Sequence, residues 1–174
     1  MRLIMILESD MTDEMIKSYE KRTRKHIDRV AKNLRKVHSY TDYDDDLLHR
    51  ASTHDDSKYG EEERVPYIWL TEFHRCKNDG IDFEYPEGVE ERVRAATKHH
   101  ITTNPHHPEA HSDPSDMSEV DIIEMVCDWA AMAQELGENN GSAKGWADKN
   151  VGSKWKFSDE QVELIYSTID ILDS

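Results

Sequence analysis

The sequence predicts an all-α fold, a single domain of about six helices over residues 1–174. Apolar residues recur at three- and four-residue spacing through several long segments, the signature of amphipathic helices. Strand-type alternation, a Gly-rich phosphate loop, an internal repeat and a GxSxG elbow are all missing from the sequence. Helix punctuation completes the pattern, with Asn78-Asp79-Gly80 as a C-cap and turn and Ser158 with Gln161 as a capping box.

Composition narrows the function. Lys+Arg 22 against Asp+Glu 37 gives a net charge of −15, which argues against a long nucleic acid as partner, since such binding depends on basic surfaces. A single phosphorylated small molecule remains compatible, because a metal ion and a few lysines reverse the field locally. Cys76 and Cys127 form no CxxC pair and read as reduced thiols of a cytoplasmic protein. The apolar opening Met1 to Leu7 stops at Glu8, too short for a membrane span and without a cleavage site. Ten histidines are many for this length, and their placement carries most of the information.

A long helix is expected over 11–38, with Ile27, Val30, Leu34 and Val37 at helical spacing and His26 on the side of Val30 and Val37. A second helix, 43–54, aligns Leu47, Ala51 and His54, with His49 turned away. It ends in the adjacent pair His54-Asp55, which offers one metal ion a nitrogen and an oxygen. Lys58 follows one helical turn after His54. Carboxylates are seldom buried without a cation or hydrogen bonds, so an inward Asp55 requires a partner.

Glu61-Glu62-Glu63 places negative charge at the start of a third helix, which runs to Lys77 with Val65, Ile68, Trp69, Phe73 and Cys76 as core and His74 on the surface. A fourth, 89–100, puts Val89, Val93, Ala96 and His100 on one face, with His99 off it. Pro105, Pro108 and Pro114 then forbid regular structure, and the loop between carries His106, His107 and His111. Beside inward-facing His100 this is a second concentration of metal-ligand types. The fifth helix, 118–136, is apolar nearly all round and is interrupted by Glu124 and Asp128, one turn apart. Metal ligation and a buried ion pair would each satisfy such acids, and the histidines favour the former.

From 137 to 157 the chain turns rich in Gly and Asn and locally basic, with Lys154, Trp146 and Trp155 among its residues. Two readings stand level here: a lid in which Lys154 and Trp155 touch a substrate, or a loop pinned by its tryptophans. A last helix, 159–172, buries Val162, Ile165, Ile169 and Leu172 and reads as scaffold.

His26, then His54-Asp55, then Asp128 follow the order H…HD…D on successive helices, and the chain resembles the HD-domain superfamily of metal-dependent phosphohydrolases. Ser57-Lys58-Tyr59, Pro66-Tyr67-Ile68-Trp69-Leu70, Asn104-Pro105-His106-His107 and Glu124-Met125-Val126-Cys127-Asp128-Trp129 make it similar to a small HD family of bacteria and phages whose function is unassigned. The motif-bearing core spans about 20–136. The resemblance implies that His26, His54, Asp55 and Asp128 bind a first metal, Asp55 bridging to a second held by His100 and His107 or His106. Pro108-Glu109 stands where the signalling branch continues with Gly, so cyclic-dinucleotide cleavage is not carried over.

Imidazole and carboxylate without thiolate suit Mn, Fe, Co, Ni or Zn, as one or two ions. The expected chemistry is hydrolysis of a phosphate ester or anhydride of a small nucleotide, a monophosphate or a dNTP, by metal-activated water. Lys58 would neutralise charge on a phosphate oxygen, and Glu124 or Asp56 would orient the water or a ligand histidine. Two rivals are a di-iron oxygenase using the same ligand order and a non-enzymatic binding module with a vestigial site. The sequence leaves self-association open.

Overall fold

The computed structural model describes residues 10–43 and 45–174. The opening run Met1 to Leu7 lies outside them. Among the described residues the chain is all-helical, with seven α-helices and no strand. They are α1 (Asp13–Tyr40), α2 (Asp46–Thr53), α3 (Arg64–Asp79), α4 (Val89–Thr103), α5 (Glu119–Leu136), α6 (Lys144–Asn150) and α7 (Asp159–Asp173). None of these helices is long and apolar enough to cross a membrane.

The chain divides into two compact units interleaved along the sequence. The first takes the residues up to Arg24 and Asp56–Ile101, and the second takes Lys25–Asp55 and Thr102–Ser174. In the first unit, Met15 and Tyr19 of α1 pack with Val65, Ile68 and Trp69 of α3 and Val89 and Val93 of α4. Helix α3 ends where expected, on Gly80 in the left-handed conformation (φ 68°), whose N–H reaches the carbonyls of Cys76 and Lys77. The start of α3 differs from expectation. Glu63 directly precedes Arg64 but makes no side-chain cap bond, and its side chain is fully buried. Three donors in this unit hold it instead, so the carboxylate serves the interior and not the helix dipole.

In the second unit α5 is the hub, which explains why it is apolar nearly all round. Ile123, Cys127 and Ala131 pack with Val30, Leu34 and Val37 of α1 and Leu47 and Ala51 of α2. Its opposite side, Ile122, Met125, Val126, Trp129 and Ala130, packs with Ala147 of α6 and Ile165 and Ile169 of α7. Each fully buried Val, Leu, Ile or Met among these contributes roughly 1.5–3 kcal/mol of apolar burial. The expected caps of α5 and α7 are present: Ser118 Oγ accepts from the Asp121 N–H, and Ser158 Oγ accepts from the Gln161 N–H. Asn33 donates to the Cys127 carbonyl at 3.1 Å, tying α1 to the middle of α5.

The 137–157 stretch is anchored. It contains α6, an isolated bridge joins Val151 and Trp155, and Trp155 stacks on Trp129 at 5.9 Å with 12° between the rings. Lys154 sits 4.0 Å over the Trp155 ring and 3.0 Å from the Glu109 carboxylate.

Candidate metal centre

Four segments of the second unit bring its histidines and acids together. Helix α1 buries His26 one turn before Val30. Helix α2 stops at Thr53, one residue short of the expected His54. His54 is its C-cap with extended backbone (φ −52°, ψ 127°), and Asp55 follows in the left-handed region (φ 60°). Left-handed backbone is tolerated by Asp better than by most residues. This break lets consecutive side chains both turn inward, each residue only 2% exposed; a continuing helix would aim them about 100° apart. Helix α5 supplies Glu124 and Asp128, and the 104–118 segment supplies His106, also 2% exposed.

The atoms converge. His26 Nε2 lies 3.0 Å from Asp128 Oδ1 and 3.5 Å from Asp55 Oδ2, and His54 Nε2 lies 3.5 Å from the same Asp55 oxygen. His54 Nδ1 is 2.8 Å from Glu124 Oε1, and His106 Nδ1 is 3.5 Å from that oxygen. His106 Nε2 faces Asp55 Oδ1 at 3.7 Å. His26, His54 and Asp55 can each direct one ligand atom within 4.8 Å of the others, and so can His54, His106 and Glu124. Among the described residues, His54 Nε2 is buried with no hydrogen-bond partner. A neutral imidazole donating Nδ1–H to Glu124 has its Nε2 lone pair available, which is the state a metal ligand needs. The cluster therefore fits a metal ion: these buried histidines and carboxylates could hold one.

Electrostatics show how tightly the groups are coupled. Burial works to lower the His54 pKa, but the charge of Asp55 and the bond to Glu124 hold it above its ordinary value. Burial and the neighbouring His54 charge push His106 well below its ordinary value. Asp128 is raised by burial, yet the His26 hydrogen bond and the surrounding histidine charges hold it below the usual carboxylate range.

A cleft of about 620 Å³ lies in the same unit, lined by Arg50, Thr53, Asp55, Asn104, His106 and Glu124 among others. That volume suits a small-molecule ligand. Arg50 is a residue that sequence reasoning missed. Its Nη1 donates to Glu124 Oε2 and its Nη2 to Asp121 Oδ1, both at 2.6 Å. The available signal was spacing, because Arg50 stands four residues before His54 and Glu124 four before Asp128.

Asp56, Lys58, His99 and His100 fall in the first unit. Lys58 is half-buried in a short 3-10 turn (Asp56–Tyr59), with its Nζ 5.7 Å from the Tyr67 ring centre and its carbonyl accepting from the Tyr19 hydroxyl. Asp56 is exposed. His100 is buried, its Nδ1 3.0 Å from Glu63 Oε2, while His99 Nδ1 lies 2.9 Å from Glu63 Oε1. Ser57 donates to the same glutamate at 3.1 Å. Burial raises the Glu63 pKa, but these histidine bonds lower it below its ordinary value overall. Glu63 is the second residue missed: as one of three consecutive glutamates it carried no signal of burial. His107, the alternative to His106, is partly buried, its ring centre 4.3 Å from that of His106.

No curated protein and no solved structure matches the chain. A family profile does match it, over residues 15–171, and on that span the chain belongs to DUF5662, a family of unknown function.

Proposed function

We propose that this protein is a metal-dependent phosphohydrolase of the HD type, cleaving a phosphate ester or anhydride of a small nucleotide. The observation that carries the reading is the meeting of His26, His54 and Asp55, with Asp128 on His26, beside a buried His54 Nε2 that has no hydrogen-bond partner among the described residues. Buried imidazoles and carboxylates without thiolate favour a divalent transition ion such as Mn, Fe, Co, Ni or Zn. Such an ion, one or a pair, would supply an activated water and charge neutralisation at the phosphate.

The remaining work falls to the chain. His26, His54, Asp55 and Asp128 bind the ion, and His106 with the second Asp55 oxygen extends the ligand set toward a further position. Glu124 accepts the His54 Nδ1 proton and so keeps Nε2 directed at His26 and Asp55. Thr53 and Asn104 line the cleft beside Asp55 and His106. A net charge of −15 disfavours long nucleic acids and leaves a small anion drawn in by the metal as substrate.

The test is release of phosphate, pyrophosphate or triphosphate from a panel of nucleoside mono-, di- and triphosphates, with Mn, Co, Ni or Fe supplied in turn and Asp55→Ala as blank. Turnover that disappears in the variant supports hydrolysis, and the product names the bond. Silence across the panel in metal-loaded protein sinks the proposal and turns attention to oxygen uptake with iron.

A further inference from the structure

We infer that Arg50 is a positioning residue for the metal centre: it clamps Glu124 as the acceptor for His54 and keeps that carboxylate out of the ligand set. The inference rests on the metal centre proposed above and adds a device that acts on it. Glu124 is 2% exposed and lies within reach of His54 and His106 as a possible ligand itself. A buried carboxylate with one free oxygen would turn toward a divalent ion, because that is the strongest partner available to it. Arg50 prevents this by occupying Oε2 at 2.6 Å, while Oε1 accepts from His54 Nδ1 at 2.8 Å.

Arg50 is itself held. Its Nη2 binds Asp121 Oδ1, and the other oxygen of Asp121 accepts from the Ser118 N–H at 3.1 Å and the Ser118 hydroxyl at 2.6 Å. Asp121 is thus both the third residue of the α5 capping box and the far end of a relay running Ser118, Asp121, Arg50, Glu124, His54. The planar guanidinium suits this use, since its fixed fork spans two carboxylates that a lysine would meet one at a time. Each partner stands one turn before a ligand: Arg50 on α2 precedes His54, the C-cap of that helix, and Glu124 precedes Asp128 on α5. The relay therefore sets the angle of the His54 ring from both helices at once.

The experiment titrates the full chain and four variants, Arg50→Met, Arg50→Lys, Glu124→Gln and Arg50→Met with Glu124→Gln, with Co(II) alone, following its visible absorption. Melting of each metal-free variant is recorded alongside. The expected result is a Kd for Co(II) raised on the order of ten- to a hundredfold in Arg50→Met, partly restored in Arg50→Lys. Adding Arg50→Met to Glu124→Gln should cost nothing further, because both act through one carboxylate. If Arg50→Met does not fold, the double variant, which strands no charge on Glu124, and Arg50→Lys decide the matter. A native Kd in folded variants whose melting temperature has dropped would make Arg50 merely structural and overturn the inference, as would losses that add in the double variant. The readout is separate from turnover. Failed hydrolysis with this affinity pattern removes the phosphohydrolase reading alone, and hydrolysis with an unchanged Kd removes only the clamp.

Discussion

Arg50 Nη1 and Glu124 Oε2 stand 2.6 Å apart, each one helical turn ahead of a residue of the metal-ligand cluster. Glu124 is almost wholly enclosed and the Arg50 side chain is 24% exposed, so the pair is neither a surface bridge nor a fully desolvated one. Removing one partner from a largely buried pair leaves an uncompensated charge, whereas removing both need not.

Arg50→Met should therefore destabilise the metal-free protein by about 3 kcal/mol, and Arg50→Met with Glu124→Gln should recover a substantial part of that loss. Urea unfolding of both variants measures it. A double variant no more stable than the single one would show that the stranded Glu124 charge is not the cause.

Metal binding should stabilise the fold. An ion held only by the native state adds roughly 2.7 kcal/mol when its free concentration is a hundred times its Kd, so the melting temperature should rise with Mn or Co concentration and fall back on chelation. In His54→Ala or Asp55→Ala the rise should vanish. A rise that survives both substitutions would locate the ion elsewhere.

Tyr19 gives the alkaline limit. Burial, partly opposed by the Thr23 hydrogen bond, pushes its pKa up to about 12, and its hydroxyl donates to the Lys58 carbonyl. The folded pKa is raised above the unfolded value of about 10. The contribution is thus complete below about pH 10 and is lost as pH rises toward 12. Native protein should lose stability over that window more steeply than Tyr19→Phe. Parallel curves in chemical denaturation across the window would dismiss this account.

Trp155 distinguishes the two readings of the 137–157 segment. Its stack on Trp129 predicts that Trp155→Ala costs at least about 1 kcal/mol of stability, with Co(II) affinity unchanged. Unaltered stability together with impaired turnover would return this segment to the role of a substrate lid.

Much of the fold is a local matter and was legible for that reason. The 3.6-residue period marks α1, α3, α4, α5 and α7, and the caps at Gly80, Ser118 and Ser158 need only neighbours within a few residues. The inward aim of His26 and His100 follows from the same period, since Val30 and Val93 share their faces. The short α6 was not legible, being hidden in a Gly- and Asn-rich stretch whose packing on α5 supplies its stability. The interleaving of two units was equally silent, because it depends on which distant faces meet.

For the candidate centre, the sequence by itself determined the inventory: which histidines and acids lie on apolar faces, and their order along the chain. Only the tertiary structure decided their use. It buried His106 more deeply than His107, gave Asp55 the left-handed backbone that turns it inward beside His54, made Glu63 the shared acceptor of His99 and His100, and paired Arg50 with Glu124. Spacing along one helix is set by local backbone geometry, but a buried charge finds its partner at long range, 36 residues away for Glu63 with His99 and 74 for Arg50 with Glu124, where no local pattern reaches.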